Sequence, residues 1–248
     1  MLEGVTLGLS GGEIVVIEGS PASGKSTLLE VAAAARTPER GAVWFAGRNT
    51  ATLQRASLPF VRRNIGYYTA DALLVLEDSA LANVMSALAV RGESLVAAES
   101  GALAALALVR AQDLATRQVA SLSSGQRRLV ALARAVAGPP PLVVADEPAA
   151  MLGETARAVV ISALVTARDQ GAAVLAATAD SVWADALVSA GARKIHLAEG
   201  SIVGAPPVGL VPPLTLSEAR EDRRSPPAAP EEGEPERGVW VPVSKGPR

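Results

Sequence analysis

Three short segments hold residues whose types and order could do chemistry. Gly19-Ser20-Pro21-Ala22-Ser23-Gly24-Lys25-Ser26-Thr27 fits the pattern G-x-x-x-x-G-K-[ST]. Small residues there let successive backbone N–H groups turn inward around phosphate oxygens, and a helix starting at that point adds partial positive charge. Lys25 would reach the β- and γ-phosphates of a nucleoside triphosphate, and the Ser26 hydroxyl would ligate Mg²⁺. Gly19, Ser20, Ala22, Ser23, Gly24 and Thr27 complete the cradle. Lysine is scarce: only Lys25, Lys194 and Lys245 occur among 23 basic residues, so chance seldom puts one in this pattern.

The second segment is Leu142-Val143-Val144-Ala145-Asp146-Glu147-Pro148, an apolar run ending in two acids. In a parallel sheet the C-terminal strand ends line the ligand crevice. Asp146 can then hold Mg²⁺ through water, and Glu147 can orient or deprotonate an attacking water. Alone, the pair also fits a strand that ends in solvated acids; beside the glycine loop it supplies the other half of a Mg-ATP site. The third segment is Leu122-Ser123-Ser124-Gly125-Gln126 at a helix start. Ser123, Gly125 and Gln126 leave N–H donors suited to a phosphate, although the same residues make a good helix cap.

These residues need a scaffold. Glu13 to Glu18 reads as a buried strand, Gly19 to Gly24 as a loop and Lys25 to Ala35 as a helix. Further strands are expected at 42–45, 65–68, 142–145 and 173–177, with a closing hairpin over 194–203 turning at Glu199-Gly200. Ala/Leu-rich stretches at 79–90, 94–109, 126–137 and 155–169 read as helices. Strands alternating with helices predict an α/β fold: a P-loop NTPase core with a mainly parallel sheet. The stretch 79–137 interrupts the alternation and reads as an inserted helical subdomain.

Composition narrows the classes. With 49% hydrophobic but only 3% aromatic residues, the core must be built from Ala, Val and Leu. A net charge of −2 gives no basic footprint for nucleic acid. Without cysteine, disulfides, thiol catalysis and thiolate metal sites are excluded. No apolar run is long enough to span a bilayer, and the start lacks the features of a signal peptide. From about 205 onward, ten of the 17 prolines and clustered charges predict a disordered tail, so residues 1–204 form the domain and 205–248 the tail. Trp240 is the one candidate docking residue there.

The order of the three segments resembles the ABC ATPase family, whose signature is Leu-Ser-Gly-Gly-Gln; here Ser124 stands at its first glycine, and Ala133-Arg134-Ala135 continues the likeness. The resemblance covers about residues 1–204. It implies ATP and Mg²⁺ as ligands, and an ATP-dependent head-to-tail homodimer or heterodimer in which Ser123 and Gly125 of one subunit touch the γ-phosphate held by the other. It also implies an integral-membrane partner and a cytoplasmic location on the inner face of the plasma membrane. More narrowly, Leu58-Pro59-Phe60-Val61-Arg62-Arg63-Asn64-Ile65-Gly66, and Asp71 through Leu74 to Asn83-Val84, are similar to FtsE-type cell-division ATP-binding proteins. Such proteins pair with an FtsX-like subunit that relays ATP-driven motion to cell-wall hydrolases. Lipoprotein-releasing and macrolide-pumping relatives share much of this segment.

Three positions depart from the family. The Q-loop glutamine falls at Ala70, the switch histidine at Ala179 and the D-loop aspartate at Gly153. The resemblance places further N-terminal strands and an adenine-stacking aromatic upstream of Met1. The single histidine, His196, falls in the late strand pair and not at the switch. Intact Lys25, Ser26, Asp146 and Glu147 favour an active ATPase; Ala70 and Ala179 favour weak activity or an ATP-gated subunit with little turnover. A DNA-repair relative would need sustained coiled-coil heptads, which the sequence lacks.

Overall fold

The computed structural model describes residues 2–50, 57–69 and 74–204. Ala70 and the proline-rich tail lie outside the described residues. The chain runs β1 (Ile14–Glu18), α1 (Lys25–Ala32), β2 (Trp44–Phe45), β3 (Arg48–Asn49), α2 (Leu58–Arg63), β4 (Ile65–Tyr68), α3 (Ala80–Val90), α4 (Leu95–Leu108), α5 (Ser124–Val136), β5 (Leu142–Asp146), α6 (Glu154–Asp169), β6 (Ala173–Thr178), α7 (Ser181–Ser189), β7 (Arg193–Ala198) and β8 (Ser201–Val203). The main sheet has the order β4-β5-β6-β1-β7-β8. Its first five strands are parallel, and β8 turns back antiparallel on β7.

The central strands are apolar on both faces because each face carries its own core. On β1, Ile14 and Val16 join one cluster while Val15 and Ile17 join the other. On β5, Val143 and Ala145 face the first, Leu142 and Val144 the second. The first cluster takes in α3 to α7; the second takes in α1 together with Val5, Leu7 and Leu9. Near the N-terminus Val5 and Leu7 are buried while Thr6 between them is exposed, the period of an extended segment. The segment is fastened by Glu3 N–H to Gly200 O (2.9 Å) and by Arg193 Nη2 to Gly8 O (2.9 Å).

Three short elements escaped the sequence reading. α2 carries Pro59 in its first turn, which needs no N–H there, and has one buried residue, Val61. α7 is capped by Asp180, whose side chain accepts from Trp183 N–H. β3 is two residues long and pairs only with β2. α1 stops at Ala32 rather than Ala35, because Ala34 adopts φ 53° and ends the helical path. The expected helical insertion is present as α3 and α4 packed on α5. Asn83, 2% exposed, clamps it: its side chain accepts from Val75 N–H (2.8 Å) and donates to Val75 O (2.9 Å) and Ser79 O (3.0 Å).

At Gly66 the C-terminal part of α5 approaches β4 so closely that an added Cβ would lie 1.8 Å from Ala135 O. A backbone carbonyl cannot rotate away as a side chain can. Gly66→Ala is expected to cost about 1–3 kcal/mol or more, seen as a lower urea midpoint with an unchanged slope. An unaltered midpoint would mean that α5 and β4 are free to part.

Candidate functional site

The glycine loop leaves the end of β1 between two neighbours, β6 and β7. Gly19 must be glycine because a Cβ there would meet Leu197 O at 2.3 Å. Gly19 N–H donates to Thr178 O (3.2 Å), and Gly200 N–H from the β7–β8 turn donates to Ser23 O (3.0 Å), so both flanking strands brace the loop. Gly24 enters α1 at φ 102°, a conformation that L side chains rarely adopt, and caps the helix without a side-chain hydrogen bond. The first-turn N–H groups of α1 thus keep no side-chain cap, which suits a phosphate. Ser26 and Ala22 are exposed, Thr27 half-buried, and Ser23 buried.

Lys25 is 6% exposed. Its Nζ donates to Gly19 O (2.9 Å) and Ser20 O (3.0 Å) and lies 3.7 Å from Glu147 Oε1. The ammonium is therefore aimed across the loop toward the acid pair. Asp146 ends β5 opposite Ala177 of β6. Its Oδ1 is buried and has no hydrogen-bond partner. A buried carboxylate oxygen without a donor is costly unless a cation or an ordered water completes it. This donor set of orphaned carboxylate and serine hydroxyl fits Mg²⁺, a hard cation that takes oxygen ligands and keeps several waters.

Glu147 sits just beyond the strand at φ 48°. Such a backbone in a non-glycine residue costs free energy and persists only where its surroundings fix it. Here Glu147 N–H donates to Ala177 O (2.9 Å) and Ala150 N–H donates to Glu147 O (3.1 Å). The carboxylate is held as well: Thr178 Oγ1 donates to Glu147 Oε2 (3.1 Å). Thr178 is buried at the end of β6, directly before Ala179, whose methyl is exposed. Asp180 is paired with Arg157 of α6. That guanidinium, helped by Trp183 N–H, holds the Asp180 carboxyl below the usual range.

Ser123 and Gln126 form a reciprocal cap on α5. Ser123 Oγ accepts from Gln126 N–H (3.2 Å), and Gln126 Oε1 accepts from Ser123 N–H (2.9 Å). The helix therefore starts at Ser124, two residues before the expected point. Gly125 is not required by its own fold: a Cβ there would meet only Leu152 Cδ2, at 3.8 Å. Gly153 caps α6 with open space where a Cβ would stand, so nothing in the chain bars the family's aspartate.

Both tyrosines of the chain lie on β4. Burial, with the Asp146 and Glu30 charges adding, pushes Tyr67 up to about 12. Burial also raises Tyr68, against the pull of the nearby Arg128 charge. Because the folded state holds the Tyr67 proton more tightly, the stability it contributes is complete below the ordinary tyrosine pKa of about 10 and fades as pH rises through about 12. Native protein should show little phenolate absorbance at pH 10 to 11, with the band appearing on denaturation. A full phenolate step near pH 10 in native protein would contradict this packing.

Five parallel strands, a glycine loop after β1, an acid-ended β5 on the other side of β6 and a helical insertion define a P-loop nucleotide-binding fold of the cassette type. The ABC transporter family profile matches residues 2–150, and the chain belongs to that family. It is 34% identical over 153 residues to the cell division ATP-binding protein FtsE of Escherichia coli K12, covering 62% of this chain and 69% of that protein. It is 38% identical over 149 residues to the lipoprotein-releasing system ATP-binding protein LolD of Pseudoalteromonas translucida, covering 60% and 64%. The dimeric post-hydrolysis structure of the ATP-binding cassette MJ0796, bound to ADP and Pi, superposes with a TM-score of 0.74 at 30% identity, over 82% of this chain and 88% of that one.

Proposed function

We propose that the chain binds Mg-ATP between its glycine loop and Asp146, hydrolyses it with Glu147 as general base, and passes the resulting motion to a membrane subunit. The convergence of Lys25, Asp146 and Glu147 beyond the ends of β1 and β5, the two strands that flank β6, carries this reading. Ser26 and Asp146 would hold Mg²⁺, which when bound neutralises charge on the phosphate oxygens. N–H groups at the end of the loop and in the first turn of α1, from Gly24 to Thr27, and the Lys25 ammonium orient the triphosphate. Glu147 takes a proton from the attacking water as its oxygen bonds to the γ-phosphorus; the bridging bond to the β-phosphate breaks, and ADP and phosphate leave.

Ser123 and Gly125, with Gln126 fixing the serine, act on ATP held by a second cassette in a head-to-tail pair. The spare room at Gly125 supports this, because its smallness then serves an approaching phosphate and not the chain's own packing. The partner is an FtsX-like subunit or a transporter permease on the inner face of the plasma membrane. Among the described residues no helix is long and apolar enough to cross a membrane. Likeness to FtsE supports a place in cell division or wall remodelling; likeness to LolD supports the transporter form of the same reading.

The exposed Ala179 favours a second reading, an ATP-gated subunit with little turnover or the degenerate half of a heterodimer. The test is ATP affinity, phosphate release and molecular mass by light scattering, on the purified full chain with and without Mg-ATP. Binding with turnover is the expected result. Tight binding and dimerisation without phosphate release would decide for the second reading, and no ATP binding would overturn both.

A further inference from the structure

We infer that Thr178 is the positioning residue for Glu147, doing through its hydroxyl part of what a side chain at position 179 does not do in this chain. The inference rests on the hydrolytic reading of Glu147 given above. Thr178 is 2% exposed, so its hydroxyl competes with little water for partners. It accepts from Asp180 N–H (3.0 Å) and donates to Glu147 Oε2 (3.1 Å). A hydroxyl has one proton, and that of Thr178 is committed to the carboxylate. Parallel pairing sets the approach: Ala177 faces Asp146 across the β5–β6 ladder, so the next residue of each strand, Thr178 and Glu147, meet just past its end.

Asp180 anchors the far side. It caps α7 and pairs with Arg157 of α6, so the N–H that bonds Thr178 belongs to a fixed turn. Glu147 Oε1 lies toward Lys25 while Oε2 is held by Thr178. The carboxylate is thus restrained at both oxygens without any side chain from Ala179. Ala179 adds only an exposed methyl at the same turn.

The experiment compares full-length wild type, Thr178→Ser, Thr178→Val, Ala179→His with Thr178→Val, and Glu147→Gln. For each, ATP Kd, KM, kcat and melting temperature are measured. Thr178→Val keeps the side-chain shape and removes the donor. Its kcat is expected to fall by about ten- to a hundredfold, the scale of a hydrogen bond to a charged group, with ATP Kd near wild type. Thr178→Ser restores the hydroxyl and should keep most of kcat; histidine at 179 should recover part of the loss. A merely structural role would lower the melting temperature of Thr178→Val and move Kd, with no recovery by histidine. Wild-type kcat in Thr178→Val, or loss of kcat in Thr178→Ser equal to that in the valine variant, overturns the inference while leaving Glu147 in its role. Wild-type protein without turnover, or turnover that survives Glu147→Gln, overturns the hydrolytic reading and this inference with it.

Discussion

Glu147→Gln should lower steady-state phosphate release by about 10²–10⁴-fold while ATP affinity stays close to that of wild type. The substitution is mild in shape. Glutamine still offers an amide oxygen to the Thr178 hydroxyl, now 3.1 Å from the carboxylate, so the side chain keeps its place. What disappears is the ability to accept a proton from water. Glu147 also stands 3.7 Å from Lys25, and neutralising it leaves that ammonium freer to meet the triphosphate. Binding should therefore hold or strengthen as turnover falls, and a slowly dissociating ATP-bound dimer should become visible by light scattering. Equal phosphate release by both proteins would remove Glu147 from the chemistry.

Lys25→Ala acts on the other term. The buried ammonium is the one side-chain cation shown aimed from the loop toward Glu147, and it also satisfies the Gly19 and Ser20 carbonyls. Truncating a buried, hydrogen-bonded charge typically costs about 2–5 kcal/mol in binding, roughly thirtyfold to several thousandfold in Kd. Titration with a fluorescent ATP analogue should show that loss. Lys194→Ala is the matched control: Lys194 bridges Glu18 (3.1 Å) and Asp185 (2.6 Å) from half-exposed positions, and its removal should leave Kd unchanged. Wild-type affinity in Lys25→Ala would dissolve the site assignment as a whole.

Strand, loop and helix around Lys25, and the acid-ended β5, could be read from the sequence because their signals are local. Apolar runs bounded by glycine and acids declare buried parallel strands, and lysine is rare enough here to mark its position. α7 was obscured because Thr178-Ala179-Asp180 drew a chemical reading, while Asp180 is also the cap that starts the helix. α2 buries only Val61, too little to set up a helical period. The bond from Thr178 to Glu147 joins residues 31 positions apart and depends on β5–β6 register, which periodicity does not encode. The Gln126 bond back to Ser123 was closer to hand, since serine followed three residues on by glutamine is a known capping pattern.

The first core runs without a break from Ala80, Val84 and Leu88 of α3 through Ala102 and Leu106 of α4 to Leu132 of α5, Val143 of β5, Leu164 of α6 and Trp183 of α7. The insertion is therefore not a detachable module. A minimal ATP-binding fragment made by excising 80–108 would strip α5 to water on the side that carries these apolar residues, and it should precipitate rather than fold. Substitutions on α3 and α5 should for the same reason compensate one another, since a larger side chain on one helix must be matched by a smaller one on the other.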